Sequence, residues 1–263
     1  MQNFFKNLGF HTLSIIQRIN FLFAFSWSIL SLSLNYKNWN RAVRGVFFRQ
    51  ILFTGVEALK FLMIVALMTG ISVIVQAEWI LKQAGQSNLL GPILVSIIIR
   101  ELAPLVTNVI VLARSGTAIA TEIGNMRVTG EIDLLDSQGI DSIIYLIMPR
   151  IVSFCISVLC LSIFFIFISL ASGYIFSKLI MPDTKDLSVF INNILGAIQP
   201  KDIYNLITKN LFGAFFVASI CSIQGLRISG TITEVPQAVT KAVEFSIAAL
   251  VIISAIVSIL TYI

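Results

Sequence analysis

The sequence predicts an all-α membrane protein, and two features of its composition indicate this class. Of its 263 residues, 57% are hydrophobic and 12% are charged, whereas about a quarter of the residues in a soluble domain are charged. The apolar residues also fall in long runs, and a run of about 20 can cross a bilayer as a helix. We therefore expect an N-terminal interfacial helix, about five transmembrane helices and a short helix on the cytoplasmic side.

The N-terminal segment is apolar, but its uninterrupted apolar run is shorter than a transmembrane helix. Residues 4–34 include Lys6, His11 and Arg18, and the clean run of about 16 residues falls short of the ~20 that a span needs. A signal peptide is the alternative, but no small-x-small cleavage site follows SLSLNY. We expect a helix that lies in the membrane interface or is half inserted, within an N-terminal region of residues 1–50.

A basic elbow, NYKNWNRAVRGVFFRQ, follows this segment and sets the orientation of the chain. Lysine and arginine are enriched on the cytoplasmic side of membrane proteins, so the elbow should face the cytoplasm. Segments 121–141 and 228–241 then lie on the same side, and loops 76–88 and 179–202 lie outside. The cytoplasmic segments and their flanks are the richer in lysine and arginine, as this rule requires.

Five apolar segments are long enough to be transmembrane helices, and polar connections separate them. Together they form a predicted transmembrane domain of residues 51–263. The five segments are approximately residues 51–75, 89–120, 142–178, 203–226 and 242–263.

The second span contains an arginine and a glutamate side by side, in SIIIRELAPLVTNVIVLA. A charge on an intramembrane helix costs at least about 2.5–3.5 kcal/mol, so Arg100 and Glu101 are candidate functional residues. Pro104 has no N–H group, so the Arg100 carbonyl loses its intrahelical partner and the helix should kink or open. Asn108 lies on the same face as Glu101. These residues predict either a binding-site wall or a structural ion pair that fixes helix register.

The connection between the second and third spans, ATEIGNMRVTGEIDLLDSQGI, is long and carries charges of both signs. Its apolar residues recur at helical intervals, at Ile123, Met126, Ile132 and Leu135. This pattern predicts a short amphipathic helix, or a pair of helices that break at Gly124 and Gly130. We interpret the segment as an intracellular element that docks on a partner protein, with a cap on the third span as the alternative.

Several function classes find no support in the sequence. The one histidine and the three isolated cysteines predict no metal site and no histidine-based catalytic machinery. The sequence contains no GxxxxGK[ST] motif, so this chain cannot itself bind ATP phosphates in a P-loop. The net charge of +5 fits the basic flanks of membrane spans better than nucleic-acid binding.

Two of these segments resemble a known family. The sequence RELAPLVTNVIVLARSGTAIATEIGNMRVTGEIDLLDSQGIDSIIYLIMPR resembles the signature of the MlaE-type ABC transporter permeases, which move lipids. The later GLRISGTITEVPQAVTKAV resembles the second cytoplasmic motif of that family. Together these motifs place the chain from the elbow onward in the register of the family.

The resemblance implies a non-catalytic permease subunit that forms a homodimer. Separate ABC ATPase subunits would bind on the cytoplasmic side and would use ATP and magnesium, so this chain would hold no cofactor. An MCE-domain lipid-binding protein would lie on the other side of the membrane. The segment 121–137 would be the coupling helix that contacts the ATPase, with coupling residues Glu122, Gly124, Met126, Arg127 and Glu131.

The resemblance also implies a lipid pocket between the two protomers, for a phospholipid or a related glycerolipid. Arg100 and Glu101 would line or support it, with Lys209 of ITKNLFG as a further polar residue. Pro104 and Asn108 belong to the same candidate pocket. Members of the family often carry an acidic residue late in the last helix, where this chain has IISAIVSIL. The polar network is therefore expected to be incomplete here or to use other residues.

The abundance of Ile, Asn, Ser and Phe resembles the product of an AT-rich organellar genome, which predicts a plastid-encoded member in a plastid (chloroplast) membrane. A bacterial inner membrane is the alternative. From the residues alone, a secondary transporter or channel that uses Glu101 as its coupling carboxylate is another possible function. A structural subunit of a bioenergetic complex is a third, and it would need no ATPase partner.

Overall fold

The computed structural model describes residues 17, 20–86, 89–180, 186–228 and 230–262. Within these ranges the chain forms eight helices and no strand, which confirms the predicted all-α class. The helices are α1 (Asn20–Leu34), α2 (Arg41–Gln83), α3 (Leu90–Val128), α4 (Glu131–Ser137), α5 (Ile143–Ile180), α6 (Leu187–Ala197), α7 (Pro200–Leu226) and α8 (Ile232–Tyr262).

Five of these helices are long and apolar enough to cross a membrane, which confirms the number predicted. They are α2, α3, α5, α7 and α8. Helix α2 extends beyond its predicted apolar segment at both ends and the other four extend at one end, largely because polar and charged residues continue a helix past the hydrocarbon region. The longest, α2, has 43 residues and is about 64 Å long, roughly twice the thickness of the hydrocarbon core.

The described part of the first helix is shorter than a helix that spans a bilayer. It covers Asn20–Leu34, a length of about 22 Å. The predicted interfacial segment begins before it, and Lys6, His11 and Arg18 lie outside the described residues. A turn fixes the end of α1 to the start of α2, because the indole Nε1 of Trp39 donates a 2.8 Å hydrogen bond to the Ser33 carbonyl.

Helix α2 begins at Arg41 and therefore includes most of the basic elbow. It continues through the predicted boundary between residues 50 and 51, and a π-helical segment, Leu52–Val56, follows directly. The division of the chain into residues 1–50 and 51–263 stays a prediction.

Helices α2 and α5 approach each other closely where both carry small residues. A Cβ atom on Gly70 would lie 2.0 Å from the carbonyl oxygen of Ser169, and one on Gly173 would lie 2.6 Å from the carbonyl oxygen of Gly70. Ala66 is fully buried one turn before Gly70. Small residues four apart allow transmembrane helices to pack backbone against backbone, and this pair of helices uses that geometry.

Helix α7 occupies the centre of the bundle and is the most deeply buried of the five spanning helices. It contacts α3, α5 and α8 along its length. Helix α8 is the least buried, and its outer face exposes Val251, Ile252, Ile256, Ile259 and Leu260. The buried polar residues of α7, which include Asp202, Lys209 and Asn210, therefore lie inside the bundle, next to a helix with an open apolar face.

The close approach at Gly70 predicts a large effect of a single methyl group. Gly70→Ala should lower the free energy of unfolding by about 1–3 kcal/mol, because α2 and α5 must separate. Gly45→Ala is the matched control, since a Cβ atom there meets nothing within 4 Å and alanine favours a helix. Thermal unfolding of the purified protein in detergent measures both, and equal midpoints for the two variants would contradict this account of the packing.

Candidate functional site

The candidate site begins at Pro104, where α3 changes its hydrogen-bond pattern. The helix is π-helical over Val95–Leu102, and the Ala103 N–H donates to the carbonyl of Ile98, five residues back. Proline supplies no donor for the Arg100 carbonyl. The predicted opening is therefore a π-helical segment inside a continuous helix rather than a break, and such segments are frequent at functional sites.

Lys209 of α7 fills the position that the proline leaves open. Its ammonium Nζ donates to the Arg100 carbonyl at 3.0 Å and to Oε2 of Glu101 at 2.8 Å. Its side chain is 2% exposed, and a buried charge is stable only when it is paired and hydrogen-bonded. One cation thus satisfies both a backbone carbonyl freed by Pro104 and the neighbouring carboxylate.

Arg100 pairs with a different residue of α7. Its Nε lies 2.7 Å from Oδ1 of Asp202, and its Nη2 donates to Oδ2 at 3.3 Å. The ring of Tyr262 lies 4.6 Å from the guanidinium carbon, within the range of a cation–π contact. The Tyr262 hydroxyl donates to Asp202 at 2.7 Å. Arg100 and Glu101 therefore form two separate ion pairs with α7 and none with each other.

Asp202 has a second task at the start of α7. Its Oδ2 accepts a 2.9 Å hydrogen bond from the backbone N–H of Gln199, and the Gln199 side chain accepts from the backbone N–H of Asp202 in return, which completes a capping box. This reciprocal arrangement satisfies two backbone donors of the first turn. The same carboxylate therefore caps α7 and neutralises Arg100.

Arg100, Glu101, Asp202 and Lys209 form a charged cluster, and their side chains differ strongly in exposure. The side chains of Asp202, Arg100 and Glu101 are 0%, 23% and 49% exposed, respectively. The outermost group is thus the Glu101 carboxylate, whose Oε1 accepts a 2.8 Å hydrogen bond from the Ser258 hydroxyl of α8. The cluster therefore presents mainly a carboxylate and a hydroxyl to its surroundings, with Lys209 buried and Arg100 about half as exposed as Glu101.

A layer of amides lies beside the ion pairs. The amide Nδ2 of Asn108 donates to Oδ1 of Asn210 at 3.3 Å, and Nδ2 of Asn210 donates to Oγ of Ser162 at 2.9 Å. All three side chains are buried, and they connect α3, α7 and α5. Asn108 therefore faces α7, as Glu101 does, but lies in a buried contact between helices.

A crevice beside this layer is lined by Pro104, Leu105, Asn108, Lys209, Leu250, Ile253 and Ser254, with a cavity volume of about 10 Å³. Binding pockets for small molecules measure about 300–1,000 Å³, so this crevice does not enclose a lipid. The structure nevertheless brings the five predicted pocket residues together. Pro104 and Asn108 line the crevice with Lys209, and Arg100 and Glu101 contact Lys209.

Sequence reasoning missed several residues of the site, all of which lie on α7 or α8. They are Asp202, Asn205, Asn210, Ser258 and Tyr262. The sequence QPKD does carry the signal of a helix start, with proline at the first helical position and an acidic residue two positions later. The capping of α7 by Asp202 was therefore predictable, but the pairing of Asp202 with Arg100 depends on the tertiary fold.

The predicted coupling segment forms the last turns of α3 and the whole of α4. Gly130 separates the two helices with a φ of 77°, which confirms one predicted break. The predicted break at Gly124 is wrong, because α3 continues through it. A Cβ atom on Gly124 would lie 2.6 Å from Cδ1 of Ile228, so this glycine serves the packing of α3 on the segment before α8.

The other coupling candidates divide between intrachain contacts and exposed surface. Glu122 pairs with Arg150 of α5 at 2.9 Å, and Arg127 pairs with Asp133 across Gly130. Met126 packs against the core, and Glu131 accepts a hydrogen bond from Thr129 at 3.1 Å. In α4, Ile132 is buried, whereas its acidic residues and Leu134 are exposed. This confirms the predicted amphipathic character of the segment.

The double role of Asp202 predicts a strong effect of removing its charge. Asp202→Asn should lower the free energy of unfolding by about 3–5 kcal/mol, because Arg100 is left without its anion. Asp186→Asn is the matched control, since Asp186 stands at the start of α6 and makes no side-chain cap. Thermal unfolding in detergent compares the two, and similar midpoints would show that the ion pair contributes little.

Comparisons with known proteins agree with this architecture. The family model Permease MlaE matches residues 47–260. A probable ABC transporter permease protein of Synechocystis is 29% identical over 203 residues, which cover 77% of this chain and 76% of that protein. The intermembrane phospholipid transport system permease protein MlaE of Haemophilus influenzae is 29% identical over 201 residues, or 74% of each chain.

A plant protein is also similar. The protein TRIGALACTOSYLDIACYLGLYCEROL 1, chloroplastic, of Arabidopsis thaliana is 27% identical over 211 residues. The match covers 80% of this chain and 59% of the plant protein. The family model covers most of the five spanning helices, the charged cluster and the coupling segment. The chain belongs to the MlaE permease family and is a multi-pass membrane protein.

Proposed function

We propose that this chain is the transmembrane subunit of an ABC transporter that moves a phospholipid or a related glycerolipid. Two relatives carry names that support this function, one as a probable ABC transporter permease and one as a permease of intermembrane phospholipid transport. The chain has no P-loop motif, so a separate ATPase would bind ATP and magnesium. In this proposal the chain performs no catalysis and binds no cofactor.

The observation that carries the proposal is that one helix, α3, holds both candidate sites. Arg100 and Glu101 lie in its first third, and Glu122 and Arg127 lie near its end. The 27 residues from Arg100 to Arg127 correspond to about 40 Å of helix. A displacement of the end of α3 by a partner would therefore reach the charged cluster through continuous secondary structure.

The lipid site would lie between two copies of the chain. The crevice beside Lys209 is far too small for a lipid, and the half-exposed Glu101 lies next to the open apolar face of α8. A second copy placed against this face would cover the apolar residues and enclose a larger cavity. Acyl chains would contact the apolar helices, and the headgroup would meet the charged cluster.

The ATPase and the MCE-domain protein would bind at opposite ends of the helix bundle. The exposed acidic face of α4 and the end of α3 would contact the ATPase, with Leu134 as an apolar contact. An MCE-domain lipid-binding protein would contact the opposite end. The chloroplast named for the Arabidopsis relative supports a plastid membrane, and the bacterial relatives support a bacterial inner membrane as the alternative.

Copurification tests the proposed function directly. The full-length chain should elute as a dimer with an ATPase and bound lipid, which native mass spectrometry would identify. Lipid transport in proteoliposomes should require ATP and the ATPase. Transport by the chain alone, driven by an ion gradient, would contradict the proposal and favour a secondary transporter.

The ion pair between Arg127 and Asp133 gives a sharper test of the coupling surface. The double variant Arg127→Asp/Asp133→Arg keeps an intrachain pair and the net charge, but it reverses the charges that a partner meets. We expect a roughly tenfold loss of ATPase binding and of ATP-driven transport, because like charges then oppose each other across the contact. The melting temperature should stay near that of the wild type.

Lys82→Glu is the control for the coupling surface, since Lys82 is exposed at the far end of α2. This variant should bind the ATPase as the wild type does. Wild-type binding by the Arg127/Asp133 exchange variant would mean that the pair serves only the fold.

A further inference from the structure

We infer that the charged cluster selects lipid headgroups that donate hydrogen bonds and carry no net negative charge. Ethanolamine phospholipids and hydroxyl-rich glycolipids share this chemistry. The inference rests on the proposed function, because it assigns a substrate class to the same site.

The charges of the cluster balance one another. Arg100 and Lys209 contribute two positive charges, and Glu101 and Asp202 contribute two negative charges. The formal sum is zero, and each cation already has its own anion within 2.8 Å. A lipid headgroup with a net negative charge would therefore enter a site that has no unpaired positive charge to neutralise it.

Both cations of the cluster are less exposed than Glu101. The Lys209 ammonium is covered and donates to two acceptors. The Arg100 guanidinium is held by the fully buried Asp202 and lies against the ring of Tyr262. An anionic headgroup would have to displace Glu101 to reach Lys209, which would leave a carboxylate unpaired at membrane depth. At Arg100, which is 23% exposed, it would meet a guanidinium whose charge Asp202 already neutralises.

The exposed Glu101 carboxylate can only accept hydrogen bonds. A carboxylate accepts about four hydrogen bonds, and Glu101 has one from Lys209 and one from Ser258. Its remaining capacity is to accept, and it is the most exposed charged group of the cluster. An ammonium or a sugar hydroxyl can donate to it, whereas a phosphate without a balancing cation is repelled.

Four lipids distinguish the effect of headgroup net charge on binding from the effect of hydrogen-bond donors. Phosphatidylethanolamine has no net charge and carries N–H donors, and monogalactosyl diacylglycerol has no charge and carries hydroxyl donors. Phosphatidylcholine has no net charge but lacks donors. Phosphatidylglycerol has hydroxyl donors and one negative charge. We therefore expect the first two to bind, phosphatidylcholine to bind less well, and phosphatidylglycerol to bind least.

The experiment reconstitutes the full-length chain in vesicles with equal parts of these four lipids. The protein is then extracted, and the lipids that remain bound are quantified by native mass spectrometry. Either donor lipid should exceed phosphatidylglycerol about fivefold relative to the vesicle composition. The more enriched of the two identifies the natural headgroup, and equal or greater binding of phosphatidylglycerol would overturn the inference.

Two variants raise the charge of the site by one unit through different residues. Glu101→Gln removes the exposed negative charge, and Ser258→Lys places a cation beside it. Both should increase the ratio of phosphatidylglycerol to phosphatidylethanolamine about fivefold or more. Ser258→Lys keeps the ion pair between Lys209 and Glu101, so it provides the test if Glu101→Gln does not fold. Thr240→Lys is the matched control, because it adds the same charge at an exposed position of α8, about 27 Å of helix before Ser258, and it should keep the wild-type ratio.

The outcomes also separate this inference from the proposed function. Absence of bound lipid on the wild-type protein, or transport without an ATPase, overturns the lipid permease itself. Bound lipid with no headgroup preference, or a preference that neither charge variant changes, overturns only the inferred selectivity.

Discussion

The ammonium group of Lys209 is the interaction on which the polar site depends. Pro104 removes the donor that the Arg100 carbonyl would receive in a regular helix, and the Lys209 ammonium supplies that donor from the neighbouring α7. The same group neutralises Glu101. Without this cation, α3 would have an unsatisfied carbonyl and an unpaired carboxylate at membrane depth, and each of these is costly. The backbone irregularity of α3 and the charge on α7 are therefore two parts of one arrangement.

The same dependence argues against Glu101 as the coupling carboxylate of a secondary transporter. Such a mechanism requires Glu101 to give up its contact with Lys209 to a transported cation in every cycle. Each loss would leave the buried Lys209 without its anion, which is strongly unfavourable. The second ion pair cannot compensate, because Asp202 is engaged by Arg100, by Tyr262 and by the cap of α7. The cluster is better suited to hold a fixed pattern of ion pairs than to exchange cations.

The sequence was sufficient for the features that depend on local chemistry. Long apolar runs predicted five spanning helices, and Pro104 predicted the irregularity of α3. Gly130 predicted a helix break, and the structure has the break there, with a positive φ that favours glycine. Gly124 was misjudged, because a glycine in a helical pattern can mark a break or a close contact, and only the position of Ile228 distinguishes them. Asp202 was missed because it lies where a predicted loop meets a predicted span. Its partner is 102 residues away, and no local pattern identifies that pairing.

The close packing of α3 and α7 determines how a movement at one end can reach the other. A Cβ atom on Gly225 would lie 2.8 Å from the carbonyl oxygen of Ala120, and one on Gly213 would lie 3.2 Å from Oδ1 of Asn108. The two helices thus meet at close range both near the coupling segment and near the ion pairs. Close-packed helices transmit displacement because their contacts have little free space. A force on the end of α3 would therefore move α3 and α7 together, and the charged cluster between them would keep its internal pairs. The movement would then change the surroundings of the cluster on its open side, where Glu101 is exposed and α8 is the least buried helix.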